Sequence, residues 1–234
     1  MSEHIVEWIR REKPTGILWL ASYPRSGVTM ARMMLAQCFG LITGTEYDEP
    51  TMTPEYHAAV KSLGANPQPD RIYEILAAQK ILPIKTHALP VDDGIPAIVI
   101  ARDGRRVCDS LLAFYQSLGN DRITMRDVIT GAHRWGRWSH WVSRWGQQKK
   151  DVVWLTHEQM VSDPKSAIDG LADMWGIEPI SYELPQIGKM RQADPIMFRT
   201  GKTDGRGAMT DEDERLFWKI HRDAMIALGY GEGK

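Results

Sequence analysis

The sequence is short of several things, and each shortage excludes something. It holds two cysteines in 234 residues, Cys38 and Cys108, too few for a disulfide framework or a cysteine-rich metal site. Both lie in apolar helical stretches and read as buried thiols in a reducing compartment. Neither sign of charge dominates: 29 Lys and Arg stand against 30 Asp and Glu, a formal net charge of −1. No global field recruits nucleic acid or an anionic membrane, so any anion site has to be a local cluster. No apolar run approaches the ~20 residues that a bilayer span needs. The opening "MSEHIVEWIRREKP" lacks a signal-peptide core, and the expectation is a cytoplasmic protein with neither nucleic acid nor membrane as partner. Repeats, linkers and low-complexity tracts are missing too, and this length suits a single domain, 1–234, with one sizeable core.

Tryptophan is abundant, with nine in all. Six of them (Trp135, Trp138, Trp141, Trp145, Trp154, Trp175) fall in one region that is expected to build much of the core. Continuous apolar runs predict buried strands at 17–21, 81–85, 97–101 and 152–155. Helices are expected at 7–11, 29–39, 73–80, 107–118 and 164–175, with Gly40 and Gly176 as stops, Asp163 as an N-cap and a last helix opening at Thr210. Residues 123–145 carry apolar and aromatic side chains at helical spacing. Strands alternating with helices imply an α/β fold with a mainly parallel sheet covered on both faces. Ligands in such sheets bind at the carboxyl ends of the strands. Residues 23–29, 86–87, 102–106 and 156–158 follow strand ends and should meet on that edge.

The stretch "SYPRSGVT" takes a strand into a helix through Ser26 and Gly27. Gly27 allows close backbone approach to an anion, and the amides of residues 26–30 would face it at a helix start. Arg25 adds fixed positive charge, and Ser26 and Thr29 add hydroxyls. The Gly-Lys-Ser/Thr of a triphosphate-hydrolysing loop is absent. The strand "AIVIARD" also ends on Arg102, where a metal-dependent enzyme usually offers a carboxylate. The pattern favours a direct cationic clamp with no metal. A second guanidinium-plus-hydroxyl set, Arg102 with Ser110, suits a terminal phosphate monoester. Arg199, Gly201 and Lys202 lie in a Gly-rich loop that could close over it. In "ILPIKTHALP", Lys85 and His87 share a face by period-2 alternation, and His87 is the candidate general base.

Together these segments resemble the PAPS-dependent sulfotransferases, over most of the chain from Gly16 to about Thr210. "SYPRSGVT" is similar to the family's 5′-phosphosulfate loop, "PIKTH" to its K-T-H segment and "IVIARDGRRVCDSLLAFY" to its 3′-phosphate motif. "GRWSHWVSRW" resembles its W-x-x-H-x-x-x-W helix, "VVWLTHEQMVSDPKSAI" its strand–helix after the tryptophans, and "FRTGK" its R-K-G loop. The resemblance implies a three-layer, P-loop-like fold. It implies PAPS as cofactor with PAP as product, no metal, and a small-molecule acceptor bearing a hydroxyl or amine. Catalytic roles are expected for His87, Arg25 and Lys85. Cofactor contacts are expected from Arg25, Ser26, Gly27, Val28, Thr29, Met30, Arg102, Ser110, His157, Ile187, Phe198, Arg199, Thr200 and Gly201.

The departures from the family pattern fall mainly around adenine. Met30, Ile187 and His157 stand where the cytosolic branch usually has tryptophan, phenylalanine and tyrosine. Arg25 and Thr200 replace lysines. Residues 43–80 are expected to form an acceptor-side insertion or lid, with Tyr47, Tyr56, His57, Phe114 and Tyr115 as candidate lining groups, and 198–209 a cofactor-closing loop. The alternatives are a Mg²⁺-dependent P-loop kinase and a non-catalytic PAP-binding module. Acceptor identity and oligomeric state stay open.

Overall fold

The structure, a computed structural model, describes residues 5–47, 53–65, 67–148, 151–184, 188 and 207–231. Six strands form one sheet: β1 (Ile17–Ser22), β2 (Thr43–Thr45), β3 (Ser62–Ala65), β4 (Leu82–Thr86), β5 (Ala97–Ala101) and β6 (Val152–Thr156). Their order is β3-β2-β4-β1-β5-β6, and every pairing is parallel.

β1 sits near the middle and is buried along its whole length. Its side chains alternate between two cores, as the pleat requires. Ile17, Trp19, Ala21 and the following Tyr23 enter one core, while Leu18 and Leu20 enter the other. β5 repeats the division, with Ala97 and Val99 on the first side and Ile98 and Ile100 on the second. The first core is covered by α1 (Ile5–Glu12), α4 (Pro69–Gln79), α5 (Gly104–Ser117), α6 (Met125–Thr130), α7 (Trp138–Gly146) and α10 (Asp211–Ala227). The second is covered by α2 (Val28–Phe39), α8 (His157–Ser162) and α9 (Pro164–Trp175). The result is helix, sheet, helix: three layers of the α/β class. Cys38 and Cys108 are both buried and free. Among the described residues no helix is long and apolar enough to cross a membrane.

The 43–80 stretch contains more regular structure than its helical segment alone predicts. β2 and β3 extend the sheet beyond β4, with α3 (Pro54–Ala59) between them. Arg32 of α2 ties this edge down. It is wholly buried, and its guanidinium donates to Thr43 Oγ1 (2.9 Å), Tyr56 OH (3.1 Å) and Ser62 Oγ (3.1 Å). Removing that charge from water is costly and is offset by hydrogen bonds such as these.

Three elements differ from expectation. α4 begins at Pro69, four residues before Tyr73. α5 begins at Gly104 rather than Val107, because the Asp103 carboxylate caps it by accepting from Arg105 N (2.8 Å). Residues 123–145 are not one helix. α6 stops at Gly131 (φ 76°), and Gly136 (φ 68°) helps turn the chain before α7; both are backbone angles that glycine adopts without a Cβ clash. Trp138, Trp141 and Trp145 are buried on α7, and Trp135 lies in the intervening loop.

Candidate active site

Parallel strands put their carboxyl ends on one edge, and contacts between the loops there unite the four polar stretches predicted to meet. Ser22 ends β1, and the chain then turns through Arg25 (φ 69°) and Gly27 (φ 106°) into α2. Gly27 has no room for a side chain: a Cβ there would fall 2.7 Å from the His157 ring. The amides of Val28, Thr29 and Met30 open α2, and first-turn amides have no acceptor within their own helix. They therefore form a cradle with partial positive charge. Ser26 Oγ and His157 Nδ1 are buried beside that turn, and neither has a hydrogen-bond partner among the described residues. Unsatisfied buried polar atoms are costly, and an oxyanion or a nucleobase would satisfy them.

The two expected anion sites are joined. Arg25 Nε donates to Ser110 Oγ at 3.0 Å, and Arg102 Nη1 donates to the Arg25 carbonyl at 3.3 Å. The Arg25 guanidinium also lies over the Phe114 ring, 5.2 Å from its centroid. Burial lowers the Arg102 pKa, and the Glu158 carboxylate opposes that shift most strongly. Asp103, the carboxylate beside the end of β5, is committed elsewhere. Arg105 Nη2 donates to its Oδ2 at 2.7 Å and Arg105 Nε to its Oδ1 at 3.1 Å.

His87 follows β4 directly. Its Nδ1 lies 2.7 Å from the Ser22 carbonyl oxygen and 3.2 Å from the Ser22 hydroxyl. A carbonyl only accepts, so this contact assigns the proton to Nδ1 and leaves the basic lone pair on Nε2. The ring stacks on Tyr47 (centroids 5.3 Å apart, 22° between planes) and meets Trp135 edge-on at 5.4 Å. Its backbone is also held: His87 N donates to Tyr47 OH (3.0 Å), and Trp141 Nε1 donates to the His87 carbonyl (3.0 Å). Trp145 Nε1 donates to the Ala88 carbonyl (3.2 Å). Lys85 lies two residues back on β4. Its register partner is Leu20, so it shares the sheet face that α2 covers.

Other expected residues sit as follows. Val28 and Met30 are buried in the second core. Thr29 is half-buried on the first turn of α2. Tyr47 reaches His87, and Tyr115 packs against His133 (5.8 Å). Tyr56 instead serves Arg32, with His57 against its ring. Ile187, Phe198, Arg199, Thr200, Gly201 and Lys202 lie outside the described residues. Before α10, Ala208 N donates to Asp109 Oδ1 (3.0 Å), one residue before Ser110.

The sequence did not reveal Trp135 as a neighbour of His87, or the indole donors that fix the His87 backbone. A buried tryptophan generally seeks an acceptor for its N–H, and that was the available signal. Tyr23 was missed as well: its hydroxyl donates to the Gly136 carbonyl (2.7 Å) and anchors the loop that carries Trp135.

His157 is neutral. Burial, and secondarily Arg102, bring its pKa down to about 3. His221 on α10 behaves alike, brought down to about 4 chiefly by burial. Its Nε2 donates to the Ile129 carbonyl (2.9 Å), and its Nδ1 accepts from the Ser139 hydroxyl (2.7 Å). In the unfolded chain both rings titrate near 6.5. Folding excludes their protons, so the stability they leave intact above that value is lost as pH falls toward 4. Asp127, Asp163 and Asp169, whose pKa values the fold lowers by hydrogen bonding, act only below the ordinary 3.8. Urea unfolding should therefore give a flat stability from about pH 7 to 8, below the range where the thiols that burial protects would ionise in the unfolded chain, and a loss on the order of a few kcal/mol between pH 6.5 and 4. A flat profile across that interval would mean that both rings protonate freely in the folded state.

A glycine turn feeding a helix start, two joined guanidinium sites and an oriented imidazole at the next strand end define an α/β enzyme with an anion cradle. Residues 16–194 match the sulfotransferase domain, and the chain belongs to the PAPS-dependent sulfotransferase family. No curated relative matches it in sequence. Among solved structures, its fold is similar to that of a mouse sulfotransferase complexed with PAP (TM-score 0.63, 18% identity, 91% of this chain and 84% of that one). It is similar also to retinol dehydratase in complex with androsterone and PAP (TM-score 0.63, 16% identity, 93% and 83% coverage). The same enzyme with retinol and PAP gives TM-score 0.62 at 17% identity, with 93% and 84% coverage.

Proposed function

We propose that this enzyme transfers the sulfuryl group of PAPS to a hydroxyl or amine of a small-molecule acceptor, by in-line displacement with His87 as general base. The observation that carries the reading is the His87 Nδ1 contact with the Ser22 carbonyl. It ties the imidazole that follows β4 to the end of β1, the strand that feeds the anion cradle, and leaves the basic lone pair on Nε2.

When bound, PAPS supplies an activated sulfuryl group on its 5′-phosphate. The chain's own residues supply the rest. The amides of residues 27–30 and the Ser26 and Thr29 hydroxyls would hold the 5′-phosphate; the Ser26 amide is already taken by the Tyr23 carbonyl (3.1 Å). Arg102 and Ser110 would hold the 3′-phosphate, and Gly27, Val28, Met30 and His157 would meet the rest of the nucleotide; the family resemblance assigns Arg199 and Gly201 to the same phosphate and Ile187, Phe198 and Thr200 to the nucleotide. His87 Nε2 takes the proton of the acceptor's hydroxyl. Arg25 and Lys85 place positive charge where negative charge grows, and such preorganised electrostatics act with little reorganisation. Arg25 stays charged throughout and acts as an electrostatic group, not an acid. The commitment of Asp103 to Arg105 weighs against a kinase-like metal site at the end of β5.

The test is PAPS with labelled sulfur, offered with a panel of alcohols, phenols and amines in excess EDTA. Label should pass to at least one acceptor and PAP should accumulate. ATP consumption that needs Mg²⁺, with no use of PAPS, would replace this reading with the kinase one.

A further inference from the structure

The C-terminal segment reaches the 3′-phosphate side of the site through Tyr230. This residue lies beyond α10, with its backbone N–H donating to the Met225 carbonyl (2.9 Å) and its ring packed against the first core. Its hydroxyl donates to Glu158 Oε2 at 2.5 Å. The other oxygen of that carboxylate, Oε1, accepts from Asp103 N at 3.2 Å. Both oxygens of Glu158 are thus directed, one by the chain's end and one by the residue next to Arg102. Glu158 follows β6 and Asp103 follows β5, so the contact bridges two adjacent strand ends. A second tie runs from the same helix: Arg105, bonded to Asp103, also meets Glu214 of α10 at 3.6 Å.

A carboxylate beside Arg102 can act in two ways. Held by two donors, it supplies negative charge that favours the protonated guanidinium in its buried setting. Released on one side, it can rotate and compete with a phosphate for the guanidinium donors. A tyrosine hydroxyl donating to one oxygen selects the first behaviour. Burial and the neighbouring Glu158 charge raise the Tyr230 pKa, so the hydroxyl keeps its proton and remains a donor.

We infer that Tyr230 is a positioning residue for the 3′-phosphate: by bonding Glu158 Oε2 it holds that carboxylate off the phosphate-binding donors of Arg102. The inference rests on the proposed use of a 3′-phosphorylated nucleotide. Tyr230→Phe removes one oxygen and keeps the packed ring. Calorimetry with adenosine 3′,5′-bisphosphate and, separately, adenosine 5′-monophosphate is the measurement. The variant should bind the bisphosphate about tenfold more weakly and the monophosphate as the wild type does. In turnover, KM for PAPS should rise by a similar factor with kcat unchanged. Glu158→Gln, which removes the competing charge, should recover most of the affinity when combined with Tyr230→Phe.

Equal binding of the bisphosphate by variant and wild type would overturn the inference, as would an equal loss for both nucleotides, the mark of a merely structural role. Wild-type protein that fails to prefer the bisphosphate over the monophosphate would sink the assignment of the 3′-phosphate site itself, and this inference with it.

Discussion

His87→Ala is expected to lower turnover by about 10²–10⁴-fold, the usual contribution of a positioned general base, while PAP binding stays near the wild-type value. The expectation follows from where the ring is held. Its Nδ1 is engaged by Ser22, one face by Tyr47, and Trp135 meets the ring edge-on, so orientation of Nε2 is set before an acceptor arrives. The ring is not among the groups assigned to either phosphate. Steady-state rates with a working acceptor, together with calorimetry using PAP, separate the two properties. Turnover that survives in the alanine variant would remove the general-base role. A parallel loss of PAP affinity would mean that the ring serves the nucleotide. His87→Gln should also be inactive, because an amide can occupy the Ser22 contact but cannot accept a full proton at working pH.

Arg102→Ala should weaken PAP by about tenfold to a hundredfold, the scale of a charge-assisted hydrogen bond in a partly desolvated site. Adenosine 5′-monophosphate should be affected far less. Arg102 also donates to the Arg25 carbonyl, so some loss for the monophosphate is expected through the first loop. The ratio of the two affinities is therefore the quantity to measure. Arg102→Lys keeps the charge but not the planar fork and should recover only part of the discrimination. Equal weakening of both nucleotides would move the 3′-phosphate away from the end of β5.

The parts of this architecture that the chain announces are those with strong local signals. A continuous apolar run, a glycine turn and a helix ending at Gly40 made β1 and α2 readable, and "AIVIA" is β5 to the residue. Asp163 and Gly176 bracket α9 as caps. The edge strands were hidden because β2 and β3 span three and four residues, contain glycine and show no alternation. The tryptophan-rich stretch misled for the opposite reason: its helical spacing runs on across Gly131 and Gly136, where the backbone has already turned. α8 was readable in principle, since Thr156 and Gln159 form a capping box, but one turn and a half of helix leaves little periodicity.

At the site, candidate residues were legible by type and their partnerships were not. Arg25 and Ser110 are 85 positions apart in the chain, and Trp141 is 54 from His87. Only the shared sheet edge brings such pairs together. Asp103 shows the limit well. Its place after β5 suggested a turn or capping residue, and it does cap α5 and bind Arg105 two residues on, but the contact of that Arg105 with Glu214 of α10 exists only in the fold.

The buried guanidinium of Arg32 has a practical consequence for redesign. It grows from α2, the helix that opens after the Gly27 turn, yet it donates to Thr43, Tyr56 and Ser62 on the outer margin of the sheet. Swapping that margin for another enzyme's to change acceptor choice would strip a cation in the interior of its hydrogen bonds, at a cost on the order of a few kcal/mol. A graft of 43–65 has to carry the three oxygens with it, or exchange Arg32 for an apolar residue in the same step. The two regions have to be exchanged together because one side chain is rooted in the first and hydrogen-bonded by the second.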